Sequence, residues 1–98
     1  MKSEPVHRKL AAILSADVKG YSRLMGQDEA ATVKAIRACR EIIASAIGGA
    51  RGRVVDSPGD NVLAEFASAV DALECAVAIQ EALEKENSQF PDDRKMIF

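Results

Sequence analysis

Two carboxylates and one glycine turn are the groups in this chain whose types and spacing suit chemistry on a polyanion. Asp17 lies in Ser15-Ala16-Asp17-Val18-Lys19-Gly20-Tyr21-Ser22, and Asp60 lies in Asp56-Ser57-Pro58-Gly59-Asp60-Asn61. The first stretch follows an apolar run, Leu10 to Leu14, and opens into helical spacing, so Asp17 is expected at a strand's carboxyl end facing a turn. Sheets of α/β type commonly place ligands at such ends. If the two acids converge, they can share divalent cations. Hard ions such as Mg²⁺ take carboxylate oxygens, and two metals about 3.5 to 4 Å apart stabilise the attacking and leaving oxygens of an in-line phosphoryl displacement. The Val18 carbonyl is a further candidate ligand. Lys19, Gly20, Tyr21 and Ser22, at a helix amino end, offer backbone N–H groups to phosphate oxygens. Each feature also has an ordinary structural use, since Asp is common ahead of strands and helices and Gly20 can simply supply a turn.

The elements that must position these groups are legible in order. Lys9 to Ala16 is apolar on both faces from Leu10 onward, the pattern of an interior strand, and it is expected at the centre of the sheet. Tyr21, Leu24 and Met25 fit one helical turn that Gly26 interrupts. Asp28 then caps a longer helix with Val33, Ile36, Cys39, Ile43 and Ile47 as its buried stripe, ended by Gly48-Gly49 in a left-handed conformation. Lys34, Arg37, Arg40 and Glu41 fill its remaining surface; a phosphate-binding face is conceivable there, but a solvated helix face is the better reading. Arg53 to Asp56 and Asn61 to Phe66 make a hairpin across a type II turn at Ser57-Pro58-Gly59-Asp60. Ser68 and Asp71 form a capping box for a helix reaching about Asn87, with Val70, Leu73, Ala76, Val77 and Leu83 on its apolar side. Pro91 to Asp93 is a loop, and Lys95 to Phe98 begins another strand. The sum is α+β, a ferredoxin-like β-α-β-β-α-β layout incomplete at its C-terminal end, with helices packed on an antiparallel sheet.

Composition narrows the function classes. The 98 residues are 48% hydrophobic, 29% charged and 4% aromatic, which describes one globular domain with an aliphatic core. A formal net charge of −2 carries no general nucleic-acid footprint. No apolar run approaches the roughly 18 residues of a membrane span, and no leader-like segment precedes the first strand. Residues 1–7 read as a mobile arm in which His7, the one histidine, is a solvated side chain rather than a ligand. Cys39 and Cys75 fall in different helices without a C-x-x-C pair, which points to buried reduced thiols and suits a cytoplasmic protein.

From about Arg8 to Phe98 the sequence resembles the first half of a class III nucleotidyl cyclase domain, the family of adenylyl and guanylyl cyclases. Ala16 to Ser22 is similar to the family's Ala-Asp-Ile-x-Gly-Phe-Thr signature. Gly59-Asp60-Asn61-Val62-Leu63-Ala64-Glu65-Phe66 is similar to its Gly-Asp-x-hydrophobic signature, and Ala67 to Gln80 resembles the helix that follows. Two motifs about 40 residues apart, in the right order on the expected elements, are more specific than either alone. The resemblance implies that Asp17, Asp60 and the Val18 carbonyl hold two divalent cations, Mg²⁺ or Mn²⁺, and that Lys19 to Ser22 surround the phosphates. It implies conversion of a nucleoside triphosphate, ATP in the first instance, to the cyclic 3',5'-monophosphate and pyrophosphate at a dimer interface. Residues 8–98 would then be the N-terminal part of the cyclase domain, truncated within a strand.

Two departures qualify what the resemblance implies. Many adenylyl cyclases carry a lysine four residues before the second aspartate to read adenine, and this chain has Asp56 there; guanylyl cyclases prefer glutamate, so Asp56 is a loose guanine candidate. The later asparagine and arginine that position ribose and stabilise the transition state would follow Phe98, so the 98 residues alone are expected to be inactive. The alternative is a non-catalytic nucleotide-binding or dimerisation module that keeps the cyclase fold, assembling as a homodimer or by strand exchange. A diguanylate cyclase ranks low, because Ser57-Pro58-Gly59-Asp60 departs from the Gly-Gly-(Asp/Glu)-Glu-Phe hairpin.

Overall fold

A computed structural model describes residues 12–56 and 61–98, the side chain of Asp93 excepted. The expected arm at 1–7, His7, the first residues of strand one and the turn at 57–60, Asp60 included, lie outside the described residues. The order is β1 (Ala12–Asp17), α1 (Tyr21–Gln27), α2 (Glu29–Gly49), β2 (Arg53–Asp56), β3 (Asn61–Phe66), α3 (Ala69–Asn87) and a 3₁₀ turn, Asp92–Arg94. The α+β reading and its antiparallel sheet hold.

Among the described strands the order is β1-β3-β2, so β3 is central and β1 is not. Residues 95–98 are not a strand; a backbone bond runs from Lys19 N–H, two residues past β1, to the Ile97 carbonyl at 2.7 Å. Alternation along β3 explains its place. Val62, Ala64 and Phe66 are buried while Leu63 and Glu65 are half-buried, and across the register Ala12 faces Phe66, Leu14 faces Ala64 and Ala16 faces Val62. These residues turn to the helices. Ile13, Ser15 and Asp17 stand on the other, exposed face of β1.

The helices start as the sequence suggests but differ at two boundaries and on two faces. Asp28 accepts from Ala31 N–H at 3.0 Å, and Ser68 accepts from Asp71 N–H at 3.1 Å. Gly26 lies inside α1, and the break falls at Asp28, whose extended φ of −160° leaves the helical region. Nor does Gly48-Gly49 turn left-handed. Both belong to α2, and Arg51 takes φ 65° while its N–H donates to Gly48 O and Gly52 N–H donates to Ile47 O. That is the Schellman pattern with an arginine at the left-handed position. On α2 the buried stripe runs Thr32, Ile36, Cys39, Ile43, Ile47, with Val33 41% exposed. On α3 it runs Cys75, Ile79, Leu83, Asn87, and Val70, Leu73 and Val77 face outward.

Polar groups inside this core are paired. Thr32, fully buried, donates to Leu24 O at 2.8 Å and accepts from Arg94 Nη2 at 2.9 Å, and Arg94 Nη1 reaches Gln27 Oε1 at 3.2 Å. Those bonds tie the α1–α2 junction to the C-terminal segment. Asn87 closes the other tie: its Nδ2 donates to Met96 O at 2.7 Å while its Oδ1 accepts from Met96 N–H at 2.8 Å. Desolvated amides left unmade would cost about 1–3 kcal/mol each, so Asn87 fixes the segment as a strand neighbour would.

Gly52 carries the tightest packing constraint. A Cβ there would stand 2.7 Å from Phe66 Cδ2 and Cζ, inside a ring that is 1% exposed. Gly52→Ala is therefore expected to destabilise the fold by about 1–3 kcal/mol through overpacking. Chemical denaturation measures it, and an unchanged midpoint would show that the Phe66 ring can move aside.

Candidate functional site

The β1–β3 register sets the position of Asp17. Ser15 pairs with Leu63, Ala16 with Val62 and Asp17 with Asn61. On the open face Asn61 Nδ2 donates to Ser15 Oγ at 3.0 Å, fastening the two strand ends. The residue that directly follows Asp60 in the chain thus stands across from Asp17, with Cα atoms about 4.5–5.5 Å apart as antiparallel pairing requires. The position of Asp60 itself lies outside the described residues.

Beyond Asp17 the chain turns through Val18, whose side chain is buried, and Lys19 and Gly20, which are exposed. Lys19 N–H is committed to Ile97 O and is therefore not available to a phosphate oxygen as expected. The expected set shortens to Gly20, Tyr21 and Ser22. Gly20 has φ 71° and ψ 32°, a left-handed conformation at the N-cap of α1 that non-glycine residues reach at a cost of about 1–2 kcal/mol. Its carbonyl accepts the first bond of the helix, from Leu24 N–H at 3.0 Å, and the amides of Tyr21 and Ser22 precede that bond. Tyr21 is half-buried and Ser22 exposed.

Sequence reasoning missed Arg23. Its Nε and Nη2 lie 3.6 and 3.7 Å from where a Gly20 Cβ would stand, so the guanidinium arches over the turn. Its i+3 spacing from Gly20 was the available signal. Asp56, the base-reading candidate, is the exposed last residue of β2 and pairs with Leu63 after a bulge between Val54 and Asp56. With β3 between β2 and β1, two inter-strand spacings of about 4.8 Å each separate the Asp56 strand from the Asp17 strand.

Among the described residues no three His, Cys, Asp or Glu side chains gather to hold a metal ion. What the described part contributes is one exposed carboxylate, Asp17, beside the hard carbonyl of Val18. Those donors suit Mg²⁺ or Mn²⁺ rather than a soft ion.

No protein-family model matches the chain. A curated relative, "Putative adenylate cyclase 3" of Rhizobium meliloti (strain 1021), is 46% identical over 98 residues, 99% of this chain and 17% of the relative. A solved structure described as an adenylate/guanylate cyclase/hydrolase from Silicibacter pomeroyi matches with a TM-score of 0.72 and 42% identity, over 93% of this chain and 53% of that one. Nearly the whole chain thus matches part of proteins described as adenylate or guanylate cyclases. A bacterial light-regulated adenylyl cyclase shares the fold, with a TM-score of 0.80 at 18% identity over 89% of this chain and 27% of that one. The chain spans about half of the solved relative and about a sixth of the curated one. No helix among its described residues is long and apolar enough to cross a membrane.

The cysteines of the chain lie on α2 and α3, apart from the Asp17 turn. Both are free and buried, as their helical positions suggested. Burial pushes the Cys39 thiol up to about 11, with the charge of Glu86 adding to the rise, and burial also raises Cys75. A thiol raised in the folded state favours folding below its unfolded value near 9, and that contribution is lost as pH climbs through the folded value. Stability should therefore fall between pH 9 and about 11, and less steeply in Cys39→Ala. Denaturation midpoints across that window test this; parallel curves for the two proteins would remove Cys39 as the cause.

Proposed function

We propose that this chain is the metal-and-triphosphate half of a class III nucleotidyl cyclase site. The observation that carries the reading is the pairing of Asp17 with Asn61, the neighbour of Asp60, beside the Gly20 turn. Its support from relatives is the 46% and 42% identity to proteins described as cyclases. In this reading Asp17, Asp60 and the Val18 carbonyl hold two divalent cations. When bound, the cations supply charge neutralisation on the triphosphate and polarise the reacting oxygens. The amides of Gly20, Tyr21 and Ser22 orient the β- and γ-phosphates, and the Arg23 guanidinium adds positive charge beside them.

The reaction is an intramolecular displacement. The ribose 3'-hydroxyl gives its proton to solvent, its oxygen bonds to the α-phosphorus, the bond from that phosphorus to the bridging oxygen breaks, and pyrophosphate leaves with the electron pair. Positioning and electrostatic stabilisation suffice, so neither aspartate need carry a proton. ATP is the substrate proposed first. Asp56, placed two strands from Asp17, can accept from an exocyclic amine but cannot donate to adenine N1 as lysine does.

As a half-site, the 98-residue chain is expected to bind Mn²⁺ and triphosphate without turnover. Titration with Mn²⁺ in the presence of ATP should show binding weakened about tenfold or more in Asp17→Ala and in Asp60→Ala, a loss of about 1.4 kcal/mol or more. Equal weak binding by all three proteins would remove the metal site. Cyclic nucleotide formation by the wild-type chain, lost in Asp17→Ala, would instead show that the half-site is sufficient.

A second reading, a non-catalytic assembly module, draws on β1. Among the described strands β1 pairs on one side, with β3. A strand edge can recruit or exchange a strand. Retained Mn²⁺-dependent triphosphate binding would favour the cyclase reading over this one.

A further inference from the structure

The C-terminal segment is held to α3 at the two residues that flank Ile97. Asn87 binds Met96 through both functions of its amide, and Gln80 Nε2 donates to the backbone oxygen of Phe98 at 3.1 Å. Gln80 and Asn87 are seven residues apart, so they lie on one side of α3, two turns from each other. A further tie comes from Arg94, whose Nη2 donates to Thr32 Oγ1 at 2.9 Å and whose Nη1 donates to Leu24 O at 3.3 Å. The Ile97 side chain is 51% exposed and adds little to this anchoring. What Ile97 supplies is a backbone carbonyl held in place, and Lys19 N–H donates to it at 2.7 Å.

That bond acts on a peptide group whose other end belongs to the candidate site. The Lys19 N–H and the Val18 carbonyl are parts of one amide, and among the described residues every peptide bond is trans. In a trans peptide the N–H and the C=O are coplanar and point in opposite directions. With the N–H aimed at Ile97, the Val18 oxygen is aimed away from the C-terminal segment, and turning the group would break the bond. Donation by the N–H also polarises the amide, which makes the oxygen a stronger acceptor. Orientation and polarisation both favour capture of a hard cation by that oxygen.

We propose that Gln80 and Asn87 are positioning residues for the cation site. By pinning Met96 and Phe98 they fix the Ile97 carbonyl, and through the Lys19 N–H they orient the Val18 carbonyl beside Asp17. The inference rests on the cyclase reading for the identity of the cation site, and it adds a support drawn from the opposite end of the chain. Neither side chain acts on the cation directly; each acts through the Ile97 bond. Partners that orient a metal's ligands in this way are worth about 10–100-fold in affinity.

The test compares the 98-residue chain with Gln80→Ala and Asn87→Ala, by NMR-detected hydrogen exchange without metal and by Mn²⁺ titration in the presence of ATP. In the wild-type chain the Lys19 amide should be protected. It should exchange about tenfold faster in Asn87→Ala and by a smaller factor in Gln80→Ala, while the amides of the β1–β3 ladder keep their protection. Mn²⁺ affinity should fall about tenfold in Asn87→Ala and less in Gln80→Ala, in the same order as the exchange rates. Gln80 is exposed, so its variant decides the matter should loss of the buried Asn87 prevent folding. Faster Lys19 exchange with unchanged Mn²⁺ affinity overturns the proposal, because the bond would then orient nothing that the cation uses. Unchanged Lys19 exchange in both variants overturns it whatever the affinity does. So does an equal loss of protection across the ladder in both, which would mark the two residues as supports of the whole fold. A wild-type chain that protects Lys19 but binds no Mn²⁺ removes the cyclase reading itself, and the proposal falls with it.

Discussion

The antiparallel register of β1 on β3 is the constraint on which the rest of this molecule depends. A strand has a side-chain period of two, so slipping the pairing by one residue would turn Leu14 and Ala16 to water and Asp17 into the core. Burial of Val62, Ala64 and Phe66 against the helices fixes the register far more firmly than any polar contact could. The same alternation that packs the apolar face delivers a carboxylate to the open face at the strand's end. Placement of the candidate site is thus a by-product of core packing, and its accuracy is inherited from an interior that tolerates little displacement.

Backbone bonding ties that strand end to a distant part of the sequence. Lys19 follows Asp17 by two residues, and its amide is held by Ile97, while Met96 is clamped by Asn87 and Arg94 reaches back to Thr32 and Gln27. The turn that begins α1 is therefore braced by the end of α3 and by the α1–α2 junction together. A binding site built on a short helix has little rigidity of its own, and this bracing supplies it from elements that are packed in the core.

Much of this was legible in the sequence because the signals are local. Asp28 and Ser68 announced their caps, the β2–β3 pairing followed from alternation around Pro58-Gly59, and Asp17 was placed correctly by the apolar run before it. What could not be read is what depends on the third dimension. Val70, Leu73 and Val77 satisfy a helical period as well as Cys75, Ile79 and Leu83 do, and only the sheet decides which stripe is covered. Val33 and Thr32 traded places because a threonine hydroxyl with two partners can be buried without loss. Gly48-Gly49 looked like the natural left-handed cap, yet the close approach of the Phe66 ring reserves a glycine for position 52 and leaves Arg51 to take the positive φ. The sequence leads one to expect Asp17 and Asp60 to converge; the register pairs Asp17 with Asn61, and Asp60 lies outside the described residues.

The Asn87 clamp gives the protein a route by which it can age. A side-chain amide is both donor and acceptor, and Met96 uses both functions at once. Hydrolysis of that amide to a carboxylate would leave two acceptor oxygens, one of them turned against the Met96 carbonyl, in a place only 7% open to solvent. A change of one mass unit, invisible to most assays of identity, would then release the segment that braces Lys19. The integrity of the candidate site is in this sense recorded far from it, in the chemical age of one amide at the end of α3.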